Sequence, residues 1–128
     1  MIEPLPLPNH PPAWSNLPAG WVGHFNTIVA ALDSLVPGQW TCTQVKQKFG
    51  GLRFYYSLTD GVAAKTAREI REMVTAVEES STNVCEICGQ QAILRKANPY
   101  WWRTLCDAHE GSMDEVDAPL RVRGDSDE

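Results

Sequence analysis

Four residues toward the C-terminal end have the types and spacing of a metal site: Cys85 and Cys88, then Cys106 and His109. Each pair encloses two residues, and 17 residues separate Cys88 from Cys106. Two thiolates at that spacing grip one ion from a single tight turn, and Gly89 after Cys88 suits such a knuckle. The second pair completes a tetrahedron. Three thiolates and one imidazole leave no open coordination position, so the expected ion is a structural Zn2+ with no catalytic duty. Four thiol and imidazole side chains that hold no ion, or a Cys85–Cys88 disulfide, are the competing readings.

No catalytic set stands beside this cluster. The sequence has no phosphate-cradling glycine loop and no nucleophile elbow, and its adjacent carboxylates Glu78 and Glu79 fall at a solvated helix end. Cys42 and His24 lie apart from the cluster and read as packing residues. The expectation is therefore a protein that is not an enzyme and works by binding.

Two stretches carry side chains suited to a partner. Lys46, Lys48, Arg53 and Tyr55 alternate along one stretch, and Tyr100, Trp101, Trp102 and Arg103 are consecutive in the other. Trp, Tyr and Arg are common interface anchors, and a basic face suits phosphate or an acidic protein patch. Adjacent strand residues point to opposite faces, so Trp101 and Trp102 cannot share one small core. One packs over the zinc lobe, while the other fills the seam between lobes or meets a partner.

These side chains need elements to hold them. Residues 20–36 repeat apolar residues at helical spacing through Trp21, Phe25, Ile28, Val29 and Leu32, and Pro37-Gly38 ends the run. Residues 40–58 read as a β-hairpin turning at Gly50-Gly51, since both glycines accept positive φ. Phe49 then faces Leu52. Val45, Phe49, Leu52, Phe54, Tyr56 and Leu58 line the core face, and Lys46, Lys48, Arg53 and Tyr55 line the other. Residues 61–80 read as a second amphipathic helix with Asp60 as N-cap and an apolar stripe at Val62, Ile70, Met73, Val74 and Val77. Between the ligand pairs, residues 92–96 and 100–105 suit two strands around Asn98-Pro99. The expected class is α+β: a helix–hairpin–helix body at 20–82 and a small zinc lobe at 83–110. That lobe is treble-clef-like if residues 106–109 begin a helical turn, or a zinc ribbon if its two knuckles are symmetric.

The flanks differ from the body. Residues 1–19 hold six of the nine prolines in the chain, which predicts an extended arm, loose or packed down through its leucines. Residues 111–128 form an acidic tail whose composition predicts disorder. The net charge of −5 is uneven: residues 107–128 carry eight acids and two bases, residues 1–106 eight acids and nine bases. The acidity belongs to the tail, which could shield the basic hairpin face or serve only solubility. No apolar run approaches the ~20 residues of a membrane helix. The sequence has no secretory leader pattern, so the cytoplasm is the expected compartment and its cysteines are expected to be ligands or free thiols.

The hairpin Lys48-Phe49-Gly50-Gly51-Leu52-Arg53-Phe54-Tyr55-Tyr56, followed by Cys85-x-x-Cys88 and Leu105-Cys106-x-x-His109, resembles a group of small uncharacterised proteins from bacteria and their phages. The resemblance covers about residues 20–109. It implies this architecture and a phage or bacterial origin, but no activity. The expected function is stoichiometric binding to another protein, such as inhibition of a host defence system in the manner of an anti-CRISPR. The alternative is a nucleic-acid-binding regulator that uses the basic hairpin face and the zinc lobe.

Overall fold

The computed structural model describes residues 3–7, 17–98 and 101–113. Helix α1 runs Val22–Leu35 after a 3-10 turn at Ala19–Trp21. Strands β1 (Trp40–Lys48) and β2 (Gly51–Leu58) form an antiparallel hairpin, and helix α2 runs Ala64–Ser80. A second antiparallel hairpin pairs β3 (Ile93–Asn98) with β4 (Trp101–Leu105), and a 3-10 segment, Asp107–Met113, follows. The fold is mixed: helices with two separate two-stranded sheets.

The main core forms because α1 buries Val22, Phe25, Ile28, Val29 and Leu32, one stripe at helical spacing. Ile70 and Val74 of α2 and Cys42, Val45, Leu52 and Phe54 of the hairpin close over it. Phe25 and Phe54 meet with ring centroids 5.8 Å apart. Asp60 does not cap α2. The helix begins at Ala64 behind an extended Ala63, with no side-chain cap.

The turn differs from the sequence expectation. Lys48 pairs with Gly51, Gln47 with Leu52 and Val45 with Phe54. The two turn residues are thus Phe49 (φ 53°) and Gly50 (φ 78°), not Gly50 and Gly51. Positive φ at both positions is what a two-residue hairpin turn of matching twist requires. The shift is two residues in register, so it preserves which side chains share a face. It moves only Phe49, which leaves the expected core face and stands 46% exposed at the tip. A left-handed conformation costs a non-glycine residue about 1 kcal/mol.

A second irregularity lies between Cys42 and Gln44, where the register slips by one residue. Strict alternation would put Trp40 and Cys42 on the lysine face. The bulge rotates them inward, so Cys42 is fully buried and Trp40 packs on the core.

The N-terminal end of the body is tied down. The Asn26 side chain accepts from Leu5 N–H at 2.8 Å and donates to the Glu3 carbonyl at 3.0 Å, so residues 3–7 lie against α1. Leu7 and Leu17 pack on the core. His10 and Trp14 fall outside the described residues, as do Tyr100 and the acidic tail from Asp114 onward.

Gly20 meets the first ligand turn backbone to backbone. Its N–H donates to the Glu86 carbonyl at 2.8 Å, and a Cβ at this position would lie 1.9 Å from the Cys85 carbonyl oxygen. Gly20→Ala must push the turn away from α1. The expected cost is about 2–3 kcal/mol, read as a lower denaturant midpoint. An unchanged midpoint would show that the two segments are not held together as described.

Candidate metal centre and the seam beneath it

Cys85, Cys88, Cys106 and His109 converge, with all four ligand atoms within 4.8 Å of one another. Cys88 Sγ lies 3.6 Å from Cys106 Sγ, and His109 Nδ1 lies 3.3 Å from Cys106 Sγ and 3.8 Å from Cys85 Sγ. Metal–sulfur bonds of about 2.3 Å and a metal–nitrogen bond of about 2.0 Å set tetrahedral edges of roughly 3.8 Å between sulfurs and 3.5 Å from sulfur to nitrogen. The measured separations bracket those edges. All four cysteines of the chain are unbridged, so no disulfide joins Cys85 to Cys88. The cluster is compatible with one tetrahedral metal ion.

Local backbone geometry explains why the ligands meet. Gly89 takes φ 82°, and its N–H returns to the Cys85 carbonyl at 2.9 Å, closing a tight turn around the first pair. The His109 N–H bonds the Cys106 carbonyl at 3.0 Å, one turn of the 3-10 segment, which brings the second pair together. Burial works against a Cys85 thiolate, but backbone N–H groups of Cys106, Cys88 and Ile87 favour it and hold the thiol down to about 6. The Gln90 N–H favours a Cys88 thiolate, yet burial and the Cys106 and Cys85 sulfurs push that thiol upward. A cation at the centre would relieve this competition by accepting charge from every sulfur. Cys42 is unrelated to the cluster. Burial pushes its thiol up to about 11, which keeps it protonated at neutral pH.

The residue between the ligands does most to join this lobe to the body. Glu86 is 2% exposed. Its Oε1 accepts from Arg103 Nε and Nη2, each at 3.0 Å, and its Oε2 accepts from the Thr104 N–H at 3.0 Å and more weakly from Gln47 Nε2 at 3.5 Å. Arg103 also donates to the Ser112 carbonyl at 2.8 Å. Sequence reasoning passed over Glu86, because an acid inside a ligand pair carries no pattern of its own. Arg103, whose place beside the tryptophans suits either the seam or a partner, lies in the seam. Arg103 is 5% exposed and spent on neutralising Glu86.

The remaining surface residues divide around the seam. Thr104 Oγ1 donates to the Gly50 carbonyl at 2.6 Å, and Gln47 Nε2 to the Trp102 carbonyl at 3.1 Å, so the tip of the first hairpin rests on β4. Phe49 and Trp102 meet across that seam with centroids 5.0 Å apart. Trp101 turns the other way and donates from Nε1 to the Met113 carbonyl at 2.8 Å. Lys96 sits 4.1 Å over the Trp102 ring, Lys48 5.9 Å from Phe49 and Lys46 5.9 Å from Tyr55. Trp102 Nε1 is buried with no hydrogen-bond partner among the described residues. Lys46, Lys48 and Arg53 are half-buried and Tyr55 is exposed, so these four share the outer hairpin face.

No protein-family model, curated protein or solved structure matches the chain. Among the described residues, no helix is long and apolar enough to cross a membrane.

Two measurements check the centre and its anchor. Elemental analysis of protein purified without strong chelators should find about one metal ion per chain. After chelation a thiol reagent should titrate three cysteines, with Cys42 reacting only in denaturant; metal far below one equivalent would refute the site. Glu86→Gln strands the Arg103 charge in the seam and should cost about 3 kcal/mol in chemical denaturation of the metal-loaded chain. A cost near zero would mean that the ion pair does not join the lobes.

Proposed function

We propose that the chain is a non-enzymatic binding protein, stapled by a structural zinc ion, that acts by stoichiometric attachment to another protein. Zinc suits the donor set: three soft thiolates and an imidazole in a closed tetrahedron favour it over hard cations, and leave no position for substrate. The sequence of knuckle, hairpin and helical turn fits a treble-clef-like lobe better than a symmetric ribbon. A cytoplasm, reducing enough to keep ligand thiols free, is the fitting compartment. Inhibition of a host defence system, as by an anti-CRISPR of phage or bacterial origin, is a role of this kind.

The observation that carries the reading is the tip of the first hairpin. Phe49 is held in a left-handed conformation that glycine takes without steric penalty, and its ring is about half exposed against Trp102, with lysine ammonium groups beside both rings. Rigid aromatics flanked by cations are the makings of an interface anchor. Lys46 and Arg53 directly opposite each other, beside the exposed Tyr55 ring, favour a second reading as a nucleic-acid-binding regulator.

Phe49→Ala leaves the buried core intact and should weaken binding to the protein partner by about 10- to 30-fold in a titration against that partner. A gel shift across a salt series separates the readings. Binding to a DNA or RNA duplex that falls steeply with salt, fails on combined Lys46→Glu, Lys48→Glu and Arg53→Glu reversal and survives Phe49→Ala would establish the second and overturn the first.

A further inference from the structure

We propose that the surface of α1 around Asn26 is a recognition site for an extended, proline-alternating peptide of a partner protein, and that residues 3–7 of the chain are its resident occupant when no partner is bound. Neither the hairpin tip nor the metal enters this assignment.

Residues 3–7, Glu3-Pro4-Leu5-Pro6-Leu7, belong to no helix or strand. Glu3, Leu5 and Leu7 each precede a proline, which biases them to extended backbone and favours the three-residue repeat of a polyproline helix. Burial along the segment has that period. Pro4 and Leu7, three residues apart, are half-buried, while Glu3, Leu5 and Pro6 are exposed. Leu7 packs on the main core. One edge of the segment thus faces the body, and the rest faces solvent.

Asn26 recognises main chain, not side chains. Its Oδ1 accepts from the Leu5 N–H at 2.8 Å, and its Nδ2 donates to the Glu3 carbonyl at 3.0 Å. A primary amide offers one acceptor and a donor pair, and here it uses both kinds on backbone groups two residues apart. Neither bond touches the exposed Glu3 or Leu5 side chain. Prolines have no N–H, so the free N–H between two of them sets the register of the bound segment. A partner peptide therefore needs a proline and an apolar residue at the two inward positions, three apart. It also needs a non-proline residue where Leu5 stands.

The resident segment is held lightly enough to exchange. Both hydrogen bonds are exposed, where water competes for the same groups, and Leu7 is only half-buried. Attachment to the same chain makes up for this by supplying an effective concentration on the order of 1 mM. A partner peptide that keeps the backbone pattern and gains contacts through its outward residues displaces it, in the manner of proline-rich ligands on preformed grooves.

A full-length, metal-loaded Leu5→Pro variant tests this. It removes the N–H that Asn26 accepts, and Leu5 is exposed, so the change spares the core. The Asn26 side-chain amide resonances should move from their wild-type positions, while those of α2 and both hairpins stay. A blocked synthetic peptide of residues 2–8, added to this variant, should return them, with half-saturation at or below about 1 mM. Peptides carrying Leu5→Pro, Pro4→Gly or Leu7→Asp should bind at least about tenfold more weakly, and Glu3→Ala or Leu5→Ala peptides within about twofold of the parent. Asn26→Ala placed in the Leu5→Pro chain should lose the parent peptide by a similar factor. Asn26 resonances that do not move in the variant, no return at several millimolar peptide, or equal binding of all the peptides would each overturn the proposal. A wild-type dimer in light scattering that Leu5→Pro converts to monomer would assign the site to the segment of a second copy, and overturn it too.

Discussion

Glu86 places a negative charge where almost no water reaches, one residue after the first sulfur ligand. A buried carboxylate is tolerated only when its lone pairs are filled, and here Arg103, Thr104 and Gln47 fill them from both lobes. The backbone of the same residue accepts from Gly20 and donates to Thr104. The turn before α1, the end of β1 and residues Arg103 and Thr104 of β4 thus all bond to one residue that sits in the turn between Cys85 and Cys88. A metal ion held by Cys85 and Cys88 would therefore set more than its own lobe. It would fix the platform on which the first hairpin rests.

That platform explains the cost accepted at the hairpin tip. Gly50 lies so close to β3 that a Cβ would come within 2.2 Å of Leu94 Cδ1, and its carbonyl is held by Thr104. Gly50 takes φ 78°, which favours glycine at that contact, and Phe49 is the turn's other member in a left-handed conformation. The ring then lies against Trp102. Strain, seam packing and aromatic display are consequences of a single register.

Much of this was legible in the sequence, for different reasons in different places. The convergence of Cys85, Cys88, Cys106 and His109 could be read because soft-donor spacing maps directly onto geometry, and α1 because its apolar stripe repeats at helical spacing. Apart from Phe49, the hairpin faces were also correctly separated, since a two-residue shift leaves parity unchanged. The turn itself was misjudged, because local preference favours two glycines while the docked tip demands that Gly50 take the second position. The inward rotation of Cys42 escaped notice because a bulge has no composition signature. Arg103 looked like an interface anchor because its partner, an acid 17 residues earlier, becomes a neighbour only after the lobe closes.

Residues 3–7, laid against α1, show what their proline pattern accomplishes. Pro4 and Pro6 fix φ on either side of Leu5, so little conformational entropy remains to be lost when the segment lies down. The intervening residue keeps the one N–H that Asn26 accepts. Continuous proline would be stiffer but could not donate, and a proline-free arm could donate but would be costlier to order. The alternation makes one amide side chain a sufficient clasp.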